Sequence, residues 1–303
     1  MLSMLSQAPS SPAPRVAVII ATKGRPQAVS RLLRWLEHQT LAPSVVVVSA
    51  TERGDIGAPV ATSQPVEYIY GSAGSCIQRN RALARIKDRA DVVIFFDDDF
   101  TPAPTWLERC ASAFASDRNI VGMSGLVLRD GAQADEISWD EAKRLIHAAA
   151  SGDVNIPQFS ERSGLYGCNM AFRVSAVGNL RFDERLVLYG WMEDKDFSRL
   201  AGKTGRLVEC GTLLGVHLGL KSGRVSGRKF GYSQVVNAWY LHRKGILSMK
   251  EAWSNISKAL LMNGAKSFGR DRNIDRPGRF VGNLIGLGCL VLGRGRPEKA
   301  AEL

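Results

Sequence analysis

The chain has 303 residues, 45% apolar and 23% charged, the balance of an ordinary soluble globular protein of one large domain or two smaller ones. No apolar run reaches the ~18 residues of a membrane-spanning helix, and the five cysteines (Cys76, Cys110, Cys168, Cys210 and Cys289) form no C-x-x-C pair. A disulfide framework is therefore excluded in favour of reduced thiols in a cytosolic protein. The net charge of +11 is one-sided: from Gly219 to the end, 16 Lys/Arg stand against 5 Asp/Glu, while the preceding 218 residues carry 24 of each sign.

Residues 1–14, MLSMLSQAPSSPAP, lack the basic and continuous apolar regions of a signal peptide and are expected to be a disordered arm. RVAVIIAT (15–22) is a β-branched run ending in Lys-Gly-Arg-Pro, a strand passing into a loop. Pro26 then suits a helix first turn, with Val29, Leu32, Leu33 and Leu36 on one face. SVVVVSA (44–50) and VEYIY (66–70) are two more strands. GSAGSCIQRNRALARI opens with glycines and continues at helical spacing, and DVVIFF is a fourth strand. TWLERCASAF follows as a helix, with Thr105 and Glu108 at capping-box spacing.

This strand–helix alternation predicts an α/β fold: a mixed, mainly parallel sheet flanked by helices. Ligands bind such sheets beyond the carboxyl ends of the strands. A second half is less regular. NIVGMSGLVL (119–128) reads as a strand, SWDEAKRLIHAA as a helix with Ser138 and Glu141 at capping-box spacing, and GRLVECGTLLGVHLG as final strands. Residues 221–230, rich in Gly and cations, are expected to form a mobile loop. Residues 231–303 form a basic helical extension, with Ser248 capping one of its helices.

Asp97, Asp98 and Asp99 end the fourth strand. Clustered carboxylates stay ionised together only when a cation or hydrogen-bond donors offset them, and oxygen ligands suit Mg2+ or Mn2+ on a substrate phosphate. One aspartate could cap the next helix, but there are three. A second acidic group, Glu193, Asp194 and Asp196, follows Trp191. It reads equally as a helix first turn favoured by the macrodipole and as the seat of a general base. His217 is isolated at a probable strand end, a structural histidine or a metal ligand. The glycines before Arg79 and Arg81 could admit a phosphate to a helix N-terminus.

In this order the segments VAVIIATKGRP, QRNRAL, VVIFFDDDFTPAPTWL, GCNMAFR and FDERLVLYGWMEDKDFSRL resemble the family 2 glycosyltransferases of GT-A fold, over residues 15–220. The resemblance implies transfer of a sugar, with inversion, from a nucleoside-diphosphate donor to an acceptor hydroxyl, in polysaccharide or glycolipid synthesis. It assigns Asp97 to the nucleoside and Asp99 to Mg2+ or Mn2+ at the diphosphate, with Asp98 sharing either role. Asp194 becomes the general base and Glu193 its neighbour at the substrate. Thr22, Arg25, Ser49, Arg79 and Trp191 line the nucleotide-sugar pocket, and His217 falls where relatives supply a metal ligand. Relatives commonly carry an aspartate after the second strand, where VVVVSATE offers Ser49 and Thr51.

Other readings compete. VIFFDDDFT resembles the opening motif of haloacid-dehalogenase phosphatases with Asp97 as nucleophile, but three strands precede it and the usual Gly-Thr is missing. Sugar nucleotidyltransferases open with a Gly-x-Gly-x-Arg loop that ATKGRP lacks. Phe230, Tyr232, Trp239 and Tyr240 among Arg and Lys could stack nucleic acid, although their helical spacing suits packing, and no nucleic-acid partner is expected. The basic tail is expected instead to close a loop over the diphosphate and to lay its last helices on an anionic membrane, near a lipid-linked or saccharide acceptor. That would make this a cytoplasmic protein, peripheral at the inner face of the membrane.

Overall fold

The computed structural model describes residues 14–132, 135–150, 157–267, 269 and 274–303. The expected N-terminal arm lies almost wholly outside them. The first half alternates as the sequence predicts: β1 (Val16–Ala21), α1 (Pro26–Leu36), β2 (Val45–Ala50), β3 (Val66–Tyr70), α2 (Ser75–Leu83) and β4 (Val92–Asp97). Then come β5 (Phe100–Pro102), α3 (Trp106–Ser116), β6 (Ile120–Asp130), α4 (Trp139–Ala150), β7 (Phe159–Glu161) and β8 (Asn169–Arg173). The short α5 (Val174–Val177), the acidic α6 (Glu193–Ala201) and the long β9 (Arg206–His217) complete the sheet region. Helices α7 (Gly227–Arg243), α8 (Met249–Lys266) and α9 (Arg276–Val291) form the extension.

The strands build one sheet in the order β3-β2-β1-β4-β8-β6-β9-β5, with β7 on β9. β1, β2, β3, β4, β6 and β9 run one way; β5, β7 and β8 oppose them. Within β1, the side chains of Val16, Val18 and Ile20 enter a core with Leu32 and Leu33 of α1 and Trp106 of α3. Ala17 and Ile19 face the opposite core, with Phe197 of α6 and Val235 of α7. The period-2 alternation of a strand thus feeds two apolar layers, and this is why the strands read as continuous apolar runs. All five cysteines are buried free thiols.

Register gathers the strand ends. Ala21 pairs with both Ser49 and Asp97, so the residues after β1, β2 and β4 emerge together. On the far side, β6 and β9 finish level, with Asp130 beside His217. β8 runs antiparallel to β4, so its start, just after Gly167 and Cys168, meets Asp97, whose N–H donates to the Cys168 carbonyl at 3.1 Å.

Two local expectations resolve differently. Thr105 makes no side-chain cap on α3, and Glu108 instead accepts from the Thr40 hydroxyl at 2.6 Å. The basic loop expected to reach 230 gives way to α7 at Gly227, because Ser226 caps that helix through the Lys229 N–H. Ser248 and Glu251 do form a reciprocal capping box on α8.

Candidate active site

The three aspartates diverge. Asp98 turns under β1, accepting from the Thr22 hydroxyl at 2.7 Å and from Arg25 at 2.8 Å. Asp99 turns towards β9, where one oxygen lies 3.3 Å from His217 Nε2 and the other accepts the Leu220 N–H at 2.9 Å. Asp97 points the third way, to Arg79 at 2.9 Å. The counter-charge that the triplet requires thus comes from two guanidinium groups and an imidazole. Burial raises the pKa of Asp97 and of Asp98, whereas for Asp99 His217 and Arg25 outweigh burial and lower it.

Despite that divergence, oxygens of Asp97 and Asp99 and a nitrogen of His217 lie within 4.8 Å of one another. His217 is itself held from behind. Its Nδ1 meets Asp130 at 2.9 Å, and Asp130 accepts the Tyr166 hydroxyl at 2.8 Å. A carboxylate behind a histidine fixes the ring so that the other nitrogen faces the metal position. Burial opposes charge on His217, yet Asp99 and the hydrogen bond that Asp130 accepts bring its pKa up to about 10. Two carboxylates and an imidazole suit Mn2+ or Mg2+ completed by substrate oxygens.

Arg79 joins this cluster to the second acidic group. Nearly inaccessible on α2, it contacts Glu193 at 2.5 Å and Asp97 at 2.9 Å, and donates to the Gly167 carbonyl at 3.3 Å. The N–H of the same Gly167 donates to Asp194 at 3.1 Å, and the Lys195 N–H donates to the other Asp194 oxygen at 2.7 Å. Burial raises the Asp194 pKa against these two bonds, and burial likewise raises that of Glu193 against the pull of Arg79. The turn entering α6 is tight: Leu188 and Met192 both have positive φ, at 61° and 73°. Such non-glycine residues cost on the order of 1–2 kcal/mol each, and strain of this kind often marks a working turn.

The acidic residues of the second group do different things. Asp196, fully buried, pairs with Lys244 at 2.7 Å and is structural. Asp183 accepts from Lys244 and from the Tyr240 hydroxyl, each at 2.7 Å, tying α7 to the sheet domain. Trp191 packs edge-on against Phe230 of α7 at 5.1 Å.

Sequence reasoning missed Asp130, Tyr166 and Gly167. Asp130 ends β6 as the triplet ends β4, a signal that strand-end logic could have caught; Gly167 opens the GCNMAFR segment but was given no role, and Tyr166 carried no signal. Ser49 is fully buried and its hydroxyl accepts from Arg81 at 3.2 Å, so it supports the end of β2. The carboxylate of that region is Asp55, which accepts from the N–H groups of Thr51 at 2.7 Å, Glu52 at 3.1 Å and Gly24 at 2.6 Å. Gln78 bridges the same two loops, donating to the Thr22 and Ser49 carbonyls at 2.7 Å. The loop after β9 is pinned beside the triplet, because Arg25 also donates to the Ser222 carbonyl at 2.7 Å and the Leu220 carbonyl at 3.1 Å.

The aromatics of α7 are packing residues. Tyr232 is fully buried, and Trp239 lies against the core.

No curated protein matches the sequence significantly. Among solved structures, the chain is similar to the mannosyltransferase PcManGT from Pyrobaculum calidifontis, described in complex with GDP-Man and Mn2+. That likeness has a TM-score of 0.50 and 14% identity, over 90% of this chain and 87% of that one. TarS of S. aureus aligns with a TM-score of 0.49 and 17% identity over 85% of this chain, which spans 44% of the TarS chain. The TarS 1–349 segment in complex with UDP aligns at 0.49 and 16%, over 84% of this chain and 73% of the segment. The overall likeness to PcManGT is one of fold, the GT-A arrangement. The model for Glycosyl transferase family 2 matches residues 17–180, more than half of the sequence, so the chain belongs to that family and is a glycosyltransferase.

Proposed function

We propose that the protein transfers a sugar from a nucleoside-diphosphate donor to an acceptor hydroxyl with inversion, in the synthesis of a polysaccharide or glycolipid. The observation that carries this reading is the continuity of two clusters: Asp97, Asp99 and His217 on one side, Asp194 on the other, joined through Arg79 and Gly167. PcManGT, of the same fold, is described with a nucleoside-diphosphate sugar and Mn2+. That donor class fits a site whose ligands are two carboxylates and an imidazole.

Asp97, Asp99 and His217 would hold Mg2+ or Mn2+; when bound, the ion neutralises the charge that develops on the leaving diphosphate. The sequence resemblance gave Asp97 to the nucleoside; its grouping with Asp99 and His217 supports giving it a share in the metal as well. Asp130 keeps the His217 proton on Nδ1 and so leaves Nε2 towards Asp99. Thr22 and Arg25 hold Asp98 and so fix the end of β4 where the diphosphate is bound.

Asp194 takes the proton of the acceptor hydroxyl. Each of its oxygens accepts one N–H and keeps lone pairs for that proton. Burial raises its proton affinity, the direction general-base work needs. Glu193, clasped by Arg79, sets the orientation of the α6 first turn, and Trp191 with Phe230 forms an apolar wall beside the acceptor. Inversion follows from a single displacement, with the base and the leaving diphosphate on opposite faces of the sugar.

The test is a panel of sugar nucleotides with Mn2+, read by release of nucleoside diphosphate and by the anomeric configuration of the product. Release from one donor with an inverted product supports the reading. A retained configuration, or release that persists in Asp99→Ala, contradicts it.

A further inference from the structure

Helices α8 and α9 run antiparallel on the outer side of α7. Asn263 donates to Asn283 at 2.9 Å, and Phe280 lies against Gly264. The inner faces of the pair are satisfied: Asn283 is fully buried and donates to the Gly231 carbonyl at 2.7 Å, and Gly282 and Gly286 let α9 approach α7 closely. The outer faces are not covered by any described part of the chain. On α9, Val281, Leu284 and Val291 are exposed at 47%, 49% and 80%, with Leu292 just beyond the helix at 68%. These positions recur at helical spacing and form one stripe. On α8, Trp253, Leu261 and Met262 are exposed in the same way.

The charges around this surface are mostly positive, and the nearby carboxylates are engaged: Asp275 caps α9 and Glu302 pairs with Arg296 at 3.3 Å. No residue from Phe280 to Gly293 is charged, a stretch about 21 Å long as helix, and Arg294 and Arg296 follow it. On α8, Lys250 stands three residues before Trp253, and Lys258 three before Leu261, so each cation shares a face with an apolar neighbour. α8 has one acidic residue, Glu251, engaged by Arg199 and by the helix cap, and α9 has none. No described helix is long and apolar enough to cross a membrane.

We propose that the outer face of α8 and α9 is a docking surface for an anionic lipid bilayer. Apolar side chains at helical spacing framed by Lys and Arg are what an interfacial helix offers, the stripe entering the headgroup boundary and the cations meeting lipid phosphates. A second copy of this chain fits less well, because a two-fold contact would set two surfaces of the same +11 segment against each other. The surface also adjoins the acceptor side of the site. Arg279, in the first turn of α9, lies over the Phe230 ring at 4.2 Å, and Phe230 packs on Trp191 beside α6. The first turn of α9 is thus linked through Phe230 to Trp191, which precedes the α6 turn that carries Asp194, the side on which a lipid-linked acceptor would be presented. Binding to the bilayer does not depend on the transferase reading, and it is measured without it.

The experiment is flotation of the full-length protein with vesicles of phosphatidylcholine alone or mixed with phosphatidylglycerol. Expected is flotation with the mixed vesicles only, reversed by high salt. The variant V281S/L284S/V291S should float on the order of tenfold less or worse, and R294Q/R296Q roughly fivefold less per cation removed. Because every substituted residue is exposed, both variants should keep the wild-type circular dichroism and melting temperature. Equal flotation with both vesicle types, or wild-type flotation of the triple serine variant, overturns the proposal. So does a concentration-dependent increase in mass by light scattering that the triple variant abolishes, which would assign the face to a second copy.

Discussion

Arg79 and Glu193, 114 positions apart in the chain, meet in a buried ion pair at 2.5 Å, and the same guanidinium holds Asp97 at 2.9 Å. One side chain of α2 thus fixes both the end of β4 and the first turn of α6. Removing it leaves two buried carboxylates without their cation. Arg79→Ala should therefore cost about 3–5 kcal/mol in urea unfolding. Glu193→Gln keeps an acceptor for Arg79 and should cost clearly less. Equal costs for the two variants would show that the pair is not what joins the elements.

Asp194 has the N–H bonds of a fixed carboxylate and no cationic partner within hydrogen-bonding range among the described contacts. Asp194→Asn preserves shape and removes basicity. Donor binding, measured by titration with nucleoside diphosphate and Mn2+, should be unchanged. Transfer should fall by about 10²–10⁴. Retained transfer would remove Asp194 as the base.

Asp55 ties the loop after β2 to the loop after β1 through three N–H groups. Against burial, the Thr51 hydroxyl and then these N–H groups lower its pKa. Asp55→Ala strands the donors, with an expected loss of about 1–3 kcal/mol. It should also weaken nucleotide binding, because Thr22 and Arg25 flank the Gly24 N–H that Asp55 fixes. Weakened binding at unchanged stability would instead point to a direct contact with the nucleotide.

Glu251 fastens α8 to α6, accepting from Arg199 at 2.5 Å while completing the α8 cap. The Arg199 hydrogen bond lowers its pKa from 4.5 to about 2. A carboxylate with a depressed folded pKa stabilises fully above its ordinary pKa, and that contribution is lost as pH falls from about 4.5 towards 2. The pair is partly exposed, so the loss should not exceed about 1 kcal/mol. Melting temperature followed over that window should fall more steeply for the wild type than for Glu251→Gln.

The order of the first four strands was legible because each is an apolar run that stops at a polar loop, and parallel pairing with helical crossovers leaves few topologies. The Asp97–Asp99 cluster was legible for the same reason, since charge at the end of a buried strand needs a partner, whereas His217 gained its metal role only through the family resemblance. Which aspartate meets which partner was not, since successive side chains diverge and only the packed elements decide where each points. Arg79 was expected to line the nucleotide pocket. Its burial between two carboxylates depends on α6, which arrives more than 100 residues later. The acceptor to Arg81 that Ser49 became, and the bridging role of Asp55, depend likewise on loop geometry that leaves no periodic trace.

In the proposed reaction, Asp97, Asp99 and His217 form a cation site that carries a nucleoside diphosphate. The most direct measurement is calorimetric titration of UDP and GDP into the protein with and without Mn2+, repeated for Asp99→Ala. Expected is binding of one nucleotide that requires the metal and falls at least tenfold in the variant. Nucleotide binding of equal strength without metal, and unchanged in Asp99→Ala, would contradict it.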